Sequence, residues 1–384
     1  MMKVCIATGT RAEYGLLKPL MEKMVSDPFF DLKILVTGAH LSPEFGLTYQ
    51  QIERDGFTID EKVEMLLSAD TSESIVKSMG VAMIGFADAL KRLNPDLLIL
   101  LGDRYEMLSL ASSALIFKIP IAHIHGGEIT TGAYDDAIRH AITKMAHYHF
   151  ASTEEYRNRI IQLGESPANV YNVGAIGLDN IVNLNLLTKA QLESELDIKF
   201  KKYNYQITFH PATLDNTPAE QQFNILLDAL DEQEDSFFIF TKANADTNGR
   251  IINSLIDQYV AQNPQKSKAF SSLGSLRFLS VLQHSHAIVG NSSSGIIEAP
   301  SLKIPTINIG HRQSGRTQAD TVINVEVNKE EIVKAFEKVK DQKFISTLDQ
   351  VKNPYGVGNT AEKIIKVLKE IKPDFVKNFY DLNG

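Results

Sequence analysis

The sequence lacks the features that mark several large protein classes. It contains a single cysteine, Cys5, so it has no intramolecular disulfide and no zinc site built from several cysteines. Its net charge of -8 argues against nucleic acid as the main partner, because phosphate backbones are bound by a surplus of Lys and Arg. No stretch reaches the roughly 18 to 20 apolar residues of a membrane span, and the apolar stretch before Gly9 is too short for a signal peptide. We therefore expect a soluble cytoplasmic protein that binds neither nucleic acid nor membranes.

Two nucleotide-binding fingerprints are also missing. The turn after the first predicted strand, Lys3 to Thr8, contains neither GxGxxG nor the GK[ST] of a P-loop. A glycine turn between a strand and a helix start still suits an anion, through free N–H groups and the helix dipole. Arg11 in this turn adds charge-assisted hydrogen bonds. The turn predicts an anion site without a dinucleotide or ATP fingerprint.

The order of apolar and amphipathic segments predicts the fold. At 384 residues the chain exceeds the usual limit of a single core, so two domains are expected. Strand-like runs alternate with helix-like runs over residues 1–182 and again over 203–358. This pattern is typical of an α/β protein with two Rossmann-like, doubly wound domains that face a central cleft. Residues 183–202 are interpreted as a linker, and residues 359–384 as a helical tail that packs back across the hinge.

Two predicted strands, Leu97 to Leu101 and Ile119 to Ile124, end abruptly in glycine and charge. Asp103 follows the first strand, and His125, Glu128 and Asp135 follow the second. Because function collects at the carboxyl ends of parallel strands, these side chains predict an active site. The alternative is that each acid only caps the next helix, where Asp and Glu are common.

The second half of the chain has its own polar strand ends. The run from Gly290 to Gly295 has the small residues, hydroxyls and helix start that suit a diphosphate, and an acid one turn later suits ribose hydroxyls. A serine run also serves as a capping loop, and a lone histidine is often structural. His210, at the end of the first strand of this half, is a candidate catalytic residue. The candidate binding residues here are Ser292, Ser293, Glu298 and Arg316.

Three histidine pairs have the spacing of neighbours on one face of a strand. They are His123/His125, His147/His149 and His284/His286. This spacing can hold zinc or another divalent ion. Three such pairs in one chain are better explained by packing, and we predict no metal site.

The motifs together resemble the hydrolysing UDP-N-acetylglucosamine 2-epimerases of bacterial sialic acid biosynthesis. The resemblance covers nearly the whole chain and rests on GTRAEYG, GDRYE, HIHGGE, DDAIRHAITKMAHYHF, STEEYRNRIIQLGE, HPAT, GNSSSGIIEAPS and INIGHRQSGR. It implies a fold of the glycosyltransferase-B type, a UDP-sugar substrate, no cofactor, and a homodimer or homotetramer. The implied reaction removes the C2 proton while UDP leaves from C1, and water then adds to the 2-acetamidoglucal to give N-acetylmannosamine.

The resemblance also assigns roles to individual residues. Asp103 and Asp135 match catalytic acids, and His210 matches a histidine of the second domain. His125 stands where related non-hydrolysing epimerases have a catalytic Glu, and we expect Glu128 to take part. Contacts to UDP are implied for Arg11, Ser292, Ser293, Glu298 and Arg316. Gly174 follows a strand at the predicted cleft, and we expect its backbone to contact the sugar or nucleotide.

Three other functions stay open at this stage. One is the same reaction on UDP-2,4-diacetamido-2,4,6-trideoxyglucose (UDP-N,N'-diacetylbacillosamine), for legionaminic acid. Another is a glycosyltransferase of the same architecture, which needs an acceptor groove but not the acidic cluster. The third is a non-catalytic subunit that senses a nucleotide sugar, which the intact acidic set argues against.

Overall fold

The computed structural model describes residues 1–67, 69, 71–131, 133–211, 217–243 and 249–382. The chain divides into two compact units, each built on one parallel β-sheet. Unit 1 comprises Met1–Glu128, Asp135–Val182 and Tyr355–Gly384, and unit 2 comprises Ile129–Tyr134 and Asn183–Pro354. Each unit has a core of its own.

Unit 1 contains a seven-stranded sheet with the order β3-β2-β1-β4-β5-β6-β7. The strands are β1 (Met2–Thr8), β2 (Phe30–Thr37), β3 (Glu61–Val63), β4 (Leu97–Leu101), β5 (Ile121–Ile124), β6 (Tyr148–Ala151) and β7 (Val170–Asn172). The direction of the strand order reverses between β1 and β4. In sheets of this kind, ligands bind at the carboxyl ends of the strands beside that switch point.

Helices cover both faces of this sheet. The helices are α1 (Arg11–Val25), α2 (Tyr49–Arg54), α3 (Ser72–Leu93), α4 (Tyr105–Ile116), α5 (Asp135–Met145), α6 (Glu154–Gln162) and α7 (Leu178–Asn183). Alternate residues of β1 point to opposite faces, so Val4 packs in the core with α1 while Cys5 packs in the core with α3 and α4. Burial on both faces explains why these strands are continuously apolar.

Unit 2 contains a six-stranded sheet with the order β10-β9-β8-β11-β12-β13. The strands are β8 (Tyr203–Thr208), β9 (Ser236–Thr241), β10 (Ser267–Phe270), β11 (Ala287–Gly290), β12 (Thr306–Ile309) and β13 (Val322–Val325). The order reverses between β8 and β11, which places a second switch point there.

Helices also cover both faces of the second sheet. They are α8 (Lys189–Leu196), α9 (Ala219–Asp231), α10 (Gly249–Gln262), α11 (Gly274–Gln283), α12 (Ser293–Ile297), α13 (Lys329–Lys340) and α14 (Gln342–Thr347). Short 3-10 helices lie in unit 1 at Gly38–Leu41, Pro43–Phe45 and Pro167–Asn169, and in unit 2 at Ala299–Leu302 and Leu348–Gln350. Phe238 packs with α9, α10 and α13, whereas the next residue, Ile239, packs with α8 and α11.

The last helix, α15 (Thr360–Glu370), belongs to unit 1 and packs against α1. Its apolar residues Ile364 and Leu368 are fully buried. Its first backbone N–H groups, of Thr360 and Ala361, donate to the two carboxylate oxygens of Asp179 at 2.7 Å each. This cap satisfies donors that a helix start would otherwise leave exposed.

Three segments lie between the main strands and helices or at their ends. Between β2 and α3, the chain contains α2 and the edge strand β3. Residues 183–202, interpreted as a linker, contain α8, which buries Leu192 and Leu196 against β9. The sequence pattern predicts a helix over residues 246–260, of which 246–248 lie outside the described ranges, and α10 begins at Gly249. Within those ranges, no helix is both long enough and apolar enough to cross a bilayer.

Candidate active site

The turn after β4 presents Asp103. Gly102 has a left-handed backbone (φ +74°) and its N–H donates to the Ile124 carbonyl, which ties this turn to β5. The Asp103 carboxylate forms an ion pair with the Arg139 guanidinium of α5. The Arg139 side chain is only 3% exposed, whereas that of Asp103 is 21% exposed. Asp103 is therefore the more accessible member of the pair, and the buried Arg139 side chain fixes the position of its carboxylate.

Arg139 also reaches the turn after β5. Its Nη1 donates to the His125 carbonyl at 2.9 Å and lies 3.7 Å from Glu128 Oε2. One guanidinium thus joins the turns that follow two neighbouring strands. The sequence interpretation did not include Arg139 among the site residues. A signal was present, because Arg139 lies three and four residues before the buried Ile142 and Thr143 and so shares the inward face of α5.

Glu128 is enclosed by donors. Its side chain is 2% exposed, and its Oε1 accepts a hydrogen bond of 2.7 Å from the Ser152 hydroxyl at the end of β6. His125 Nδ1 lies 3.2 Å from the same oxygen. Buried carboxylates are stable only with such partners. The structure thus brings Asp103, His125 and Glu128 into one network.

Asp135 opens α5, four residues before Arg139. This spacing places the two side chains on one face of the helix. Asp135 is half-buried. It therefore lies at the same end of unit 1 as Asp103 and Glu128, since the start of α5 follows β5.

The turn after β1 differs from its prediction. Glu13 Oε2 accepts hydrogen bonds from the backbone N–H groups of Gly9 (2.8 Å) and Thr10 (3.0 Å). The prediction that this turn offers free amides to an anion is therefore wrong for these two groups, because a side chain of α1 already occupies them. Arg11 is the first residue of α1, and its contact with UDP stays a prediction.

A second buried acid lies against the same turn. Glu106, in the first turn of α4, is 1% exposed and accepts from Arg104 Nε at 2.7 Å. It packs so tightly on Gly9 that a Cβ there would lie 2.5 Å from Glu106 Oε1. Burial, aided by the charge of Glu106, raises the pKa of Glu13 to about 8.

Gly174, predicted to offer its backbone to the ligand, lies shortly after β7 in unit 1. Its backbone is left-handed (φ +89°), and a Cβ would lie 3.0 Å from the Tyr355 carbonyl. Close approach to Tyr355 thus gives an independent reason for glycine at this position.

In unit 2, the turns after β8 and β11 are joined by Asn291. Its Oδ1 accepts from the His210 N–H at 2.7 Å, and its Nδ2 donates to the His210 carbonyl at 2.8 Å. Gly290 (φ +132°) abuts the Thr208 carbonyl, where no side chain has room. The pair of bonds fixes the backbone of His210, while Ala212 and Thr213 of the HPAT motif lie outside the described residues. Asn291 was not among the predicted site residues.

The serine run forms the start of a short helix. Ser292 is the N-cap of α12 and its hydroxyl accepts from the Ser294 N–H at 3.3 Å. Ser293 is the first helical residue, and Glu298 follows the last one with 8% of its surface exposed. Capping, the alternative interpretation of the run, thus describes Ser292. A diphosphate contact of Ser292 or Ser293 remains a prediction.

Arg316 is held within unit 2. Its Nε donates to the Ile129 carbonyl at 2.8 Å, and its Nη2 lies 3.3 Å from the Thr130 hydroxyl. The neighbouring Arg312 donates to the Asn291 carbonyl at 3.0 Å. The loop after β12 thereby connects to the turn after β11.

Comparison with known proteins identifies the family. The profile of the UDP-N-acetylglucosamine 2-epimerase family matches residues 22–369. The chain belongs to this family. It is 46% identical to the GDP/UDP-N,N'-diacetylbacillosamine 2-epimerase (hydrolyzing) of Campylobacter jejuni, and the match covers 99% of each chain. It is 39% identical to the polysialic acid biosynthesis protein P7 of Escherichia coli, over 100% of this chain and 98% of the other.

Solved structures of epimerases share the fold. The UDP-GlcNAc 2-epimerase of Neisseria meningitidis, solved with UDP-GlcNAc bound, aligns with a TM-score of 0.79 over 96% of this chain and 100% of the other, at 20% identity. The two parallel sheets and their helices are thus those of the glycosyltransferase-B type. The α/β fold class predicted from the sequence is confirmed.

The histidine pairs of this epimerase-family chain are engaged in hydrogen bonds. His147 binds the Phe375 carbonyl, His149 binds Glu165, and His284 binds the Leu187 carbonyl. Among the residues that the structure describes, no group of three or more His, Cys, Asp or Glu side chains is arranged to hold a metal ion.

Proposed function

We propose that this protein is a hydrolysing 2-epimerase, which converts a UDP-activated 2-acetamido sugar and water into UDP and the free sugar with inverted C2. The observation that carries the proposal is the carboxylate pair of Asp103 and Glu128, joined through Arg139 at the ends of β4 and β5. Membership of the epimerase family supports it. No acceptor other than water is needed for this chemistry.

The reaction requires more than one carboxyl group. The C2 proton is not acidified by a carbonyl, so departure of UDP builds positive charge at C1, which carboxylates stabilise. A base takes the C2 proton as the bond from C1 to UDP breaks. Water then adds to C1 of the glycal while an acid returns a proton to the opposite face of C2. We assign these proton transfers to Asp103, Glu128 and Asp135. The Asp103 carboxylate is more exposed than that of Glu128.

Binding of the nucleotide is assigned to other residues. Arg11 of unit 1 and a set in unit 2 are proposed to contact UDP, and His210 is proposed to assist at the sugar. The fixed backbone around Asn291 supports this part of the proposal, because it holds His210 and the start of α12 in defined places. The unit 2 set comprises Ser292, Ser293, Glu298 and Arg316.

Two sugars are candidates for the substrate. The resemblance of the motifs places UDP-N-acetylglucosamine first. The name of the C. jejuni relative, at 46% identity, favours N,N'-diacetylbacillosamine carried by UDP or GDP. We therefore propose UDP-N,N'-diacetylbacillosamine as the preferred substrate, with UDP-N-acetylglucosamine as the second candidate.

Proton NMR in D2O tests both parts of the proposal. The purified protein is incubated separately with each UDP-sugar and with the GDP-linked diacetamido sugar, without any acceptor. We expect each UDP-sugar to give UDP and free sugar with deuterium at C2, and we expect the fastest release from UDP-N,N'-diacetylbacillosamine. Faster turnover of UDP-N-acetylglucosamine would reverse the substrate order and keep the reaction. Epimerised UDP-sugar without release would refute hydrolysis, and turnover only after an acceptor is added would point to a glycosyltransferase.

A further inference from the structure

His125 occupies a position where every polar atom is already engaged. Its backbone N–H donates to the Phe150 carbonyl at 3.0 Å, and its carbonyl accepts from Arg139 at 2.9 Å. Its ring Nε2 lies 3.2 Å from the Ile176 N–H, and its ring Nδ1 lies 3.2 Å from Glu128 Oε1. The residue is 7% exposed. A group so enclosed is a candidate for a fixed structural role at the site.

The contact with Ile176 determines the tautomer. A backbone N–H can only donate, so Nε2 must be the acceptor and must lack a proton. A neutral imidazole then carries its proton on Nδ1, where it faces the Glu128 carboxylate. Protonation of Nε2 would set two N–H groups against each other and break the bond to Ile176. The ring therefore has no nitrogen that can accept a proton from a substrate without a rearrangement.

We propose that His125 is a positioning residue: it stays neutral with its proton on Nδ1 and holds Oε1 of Glu128, and it takes no part in proton transfer to or from the sugar. The Ser152 hydroxyl holds the same oxygen at 2.7 Å. The two donors fix the rotation of the carboxylate, so Oε2 is directed toward Arg139. The proposal gives His125 a different role from that of the catalytic Glu that stands at this position in related non-hydrolysing epimerases, and it differs from the expectation that His125 is itself catalytic.

The backbone supports the same assignment. His125 has a left-handed conformation (φ +64°), which is uncommon for a residue other than glycine and requires surroundings that enforce it. The bonds to Phe150 and Arg139 supply that enforcement. Because its backbone and ring are both fixed by hydrogen bonds, His125 is suited to orient the neighbouring Glu128.

Several charged groups surround the ring and enter its proton balance. Glu128 favours the imidazolium, whereas the Arg139 guanidinium at the His125 carbonyl disfavours it. His123, two residues earlier, is fully buried, and burial lowers its pKa to about 3, so it adds no charge near neutrality. Arg159 of α6 donates to the Gly127 carbonyl at 2.6 Å and adds a further positive charge. Asp103 is paired with Arg139. Arg139, Arg159 and the Ile176 N–H oppose Glu128, and we assign the neutral ring.

Nitrogen-15 NMR of histidine-labelled protein tests the tautomer without any substrate. The His125 signals are assigned as those missing from His125→Asn. We expect a protonated Nδ1 and an unprotonated Nε2 that do not change between about pH 5.5 and 8.5. An imidazolium pattern, a titration in this range, or a proton on Nε2 would overturn the proposal. Because no turnover is involved, this result does not depend on the proposed function.

A matched pair of variants tests the role in the reaction and rests on the proposed function. Asn and Asp have the same shape and both tolerate a left-handed backbone, but only Asn supplies an N–H donor to Glu128. We expect kcat of His125→Asn within about tenfold of the wild type and kcat of His125→Asp lower by roughly 100-fold, with little change in KM. The loss in His125→Asp should lessen at low pH, where the facing carboxyls can share a proton. If His125 exchanges protons, the titratable Asp variant will be the more active of the two, which contradicts the proposal.

Discussion

At the switch point of unit 1, the ends of β1 and β4 carry the acidic side chains of Glu13, Glu106 and Asp103. At the switch point of unit 2, the ends of β8 and β11 carry His210, Asn291 and a serine run. In both sheets the strand order reverses at this point. Each switch point has one glycine with no room for a side chain, Gly9 after β1 in unit 1 and Gly290 at the end of β11 in unit 2. The fold therefore supplies the place, and the side chains decide the chemistry.

The two places are also held together differently. In unit 1 the acids are held by ion pairs, such as Asp103 with Arg139 and Glu106 with Arg104. In unit 2 the Asn291 amide binds the backbone of His210, and Arg312 donates to the Asn291 carbonyl. A network of ion-paired acids suits stabilisation of a charged transition state, whereas a framework of amide and arginine donors suits binding of an anionic nucleotide. Variants of Asp103 and Glu128 should thus affect kcat, and variants of the serine run in unit 2 should affect KM.

The largest effect is expected for Asp103→Asn. The amide keeps the size of the side chain but removes the charge and the ability to exchange a proton. Because positioned acids and bases contribute roughly 100- to 10,000-fold to rate, we expect kcat to fall by about 1,000-fold with KM changed by less than about threefold. The rate of UDP release at saturating UDP-sugar is the measurement.

Asp136→Asn is the matched control for Asp103→Asn. Asp136 lies next to Asp135 on α5, and its carboxylate lies 3.6 Å from the His140 ring. Its variant should keep kcat within about threefold of the wild type. If the two variants lost activity equally, the assignment of the charge network to catalysis would be wrong.

An intermediate effect is expected for Ser293→Ala. Ser293 is the first residue of α12, and the proposal gives its hydroxyl a contact with the diphosphate. Loss of one hydrogen bond to a charged group weakens binding by about 1.5 kcal/mol, or roughly tenfold. We expect KM to rise by that factor while kcat stays within about twofold, as measured by initial rates over a range of UDP-sugar concentrations. Ser294→Ala, one residue further into the helix, should leave both constants near their wild-type values. A fall in kcat with constant KM for Ser293→Ala would remove the contrast between the units.

The sequence allowed the strand ends to be predicted but not the partners of the residues on them. Apolar runs that stop at glycine and charge located β4 and β5, because their two buried faces leave no polar positions. The partners depend on how α5 packs, so the pairing of Arg139 with Asp103 lay beyond periodicity alone. One expectation failed, that of free amides at the turn after β1, because a side chain of the chain itself occupies two of them.

Glu13 is the instructive case. Thr10-Arg11-Ala12-Glu13 has the S/T-x-x-E pattern of a capping box, and the structure shows that box with both of its bonds. The pattern was available in the sequence and predicts that the Thr10 amide is occupied by the Glu13 side chain rather than free. The contact of Glu106 with Gly9 joins residues that are far apart in the sequence, so no local pattern predicted it.

The smallest effect on activity, but a clear effect on stability, is expected for Glu13→Gln. Burial and Glu106 raise the pKa of Glu13 to about 8 in the folded chain, from 4.5. The folded state therefore binds the proton more tightly than the unfolded state between these values, so stability falls as pH rises from about 4.5 through about 8. Glutamine keeps the oxygen that accepts from Gly9 and Thr10 but carries no charge. Urea unfolding at about pH 6 and about pH 9 should show less loss of stability for Glu13→Gln than for the wild type, by at least the value of one pKa unit, about 1.4 kcal/mol.

Glu73→Gln provides the comparison for Glu13→Gln, since Glu73 is also an acid in the first turn of a helix but is exposed. Its variant should follow the wild-type dependence on pH. Activity at about pH 7 should change by less than about twofold in Glu13→Gln, because its carboxyl is predominantly protonated there when its pKa is about 8. An unchanged stability slope would mean that Arg104 stabilises both carboxylates in the ionised form. In that case Glu13 and Glu106 would be ionised and stabilised by an arginine, as Asp103 is by Arg139.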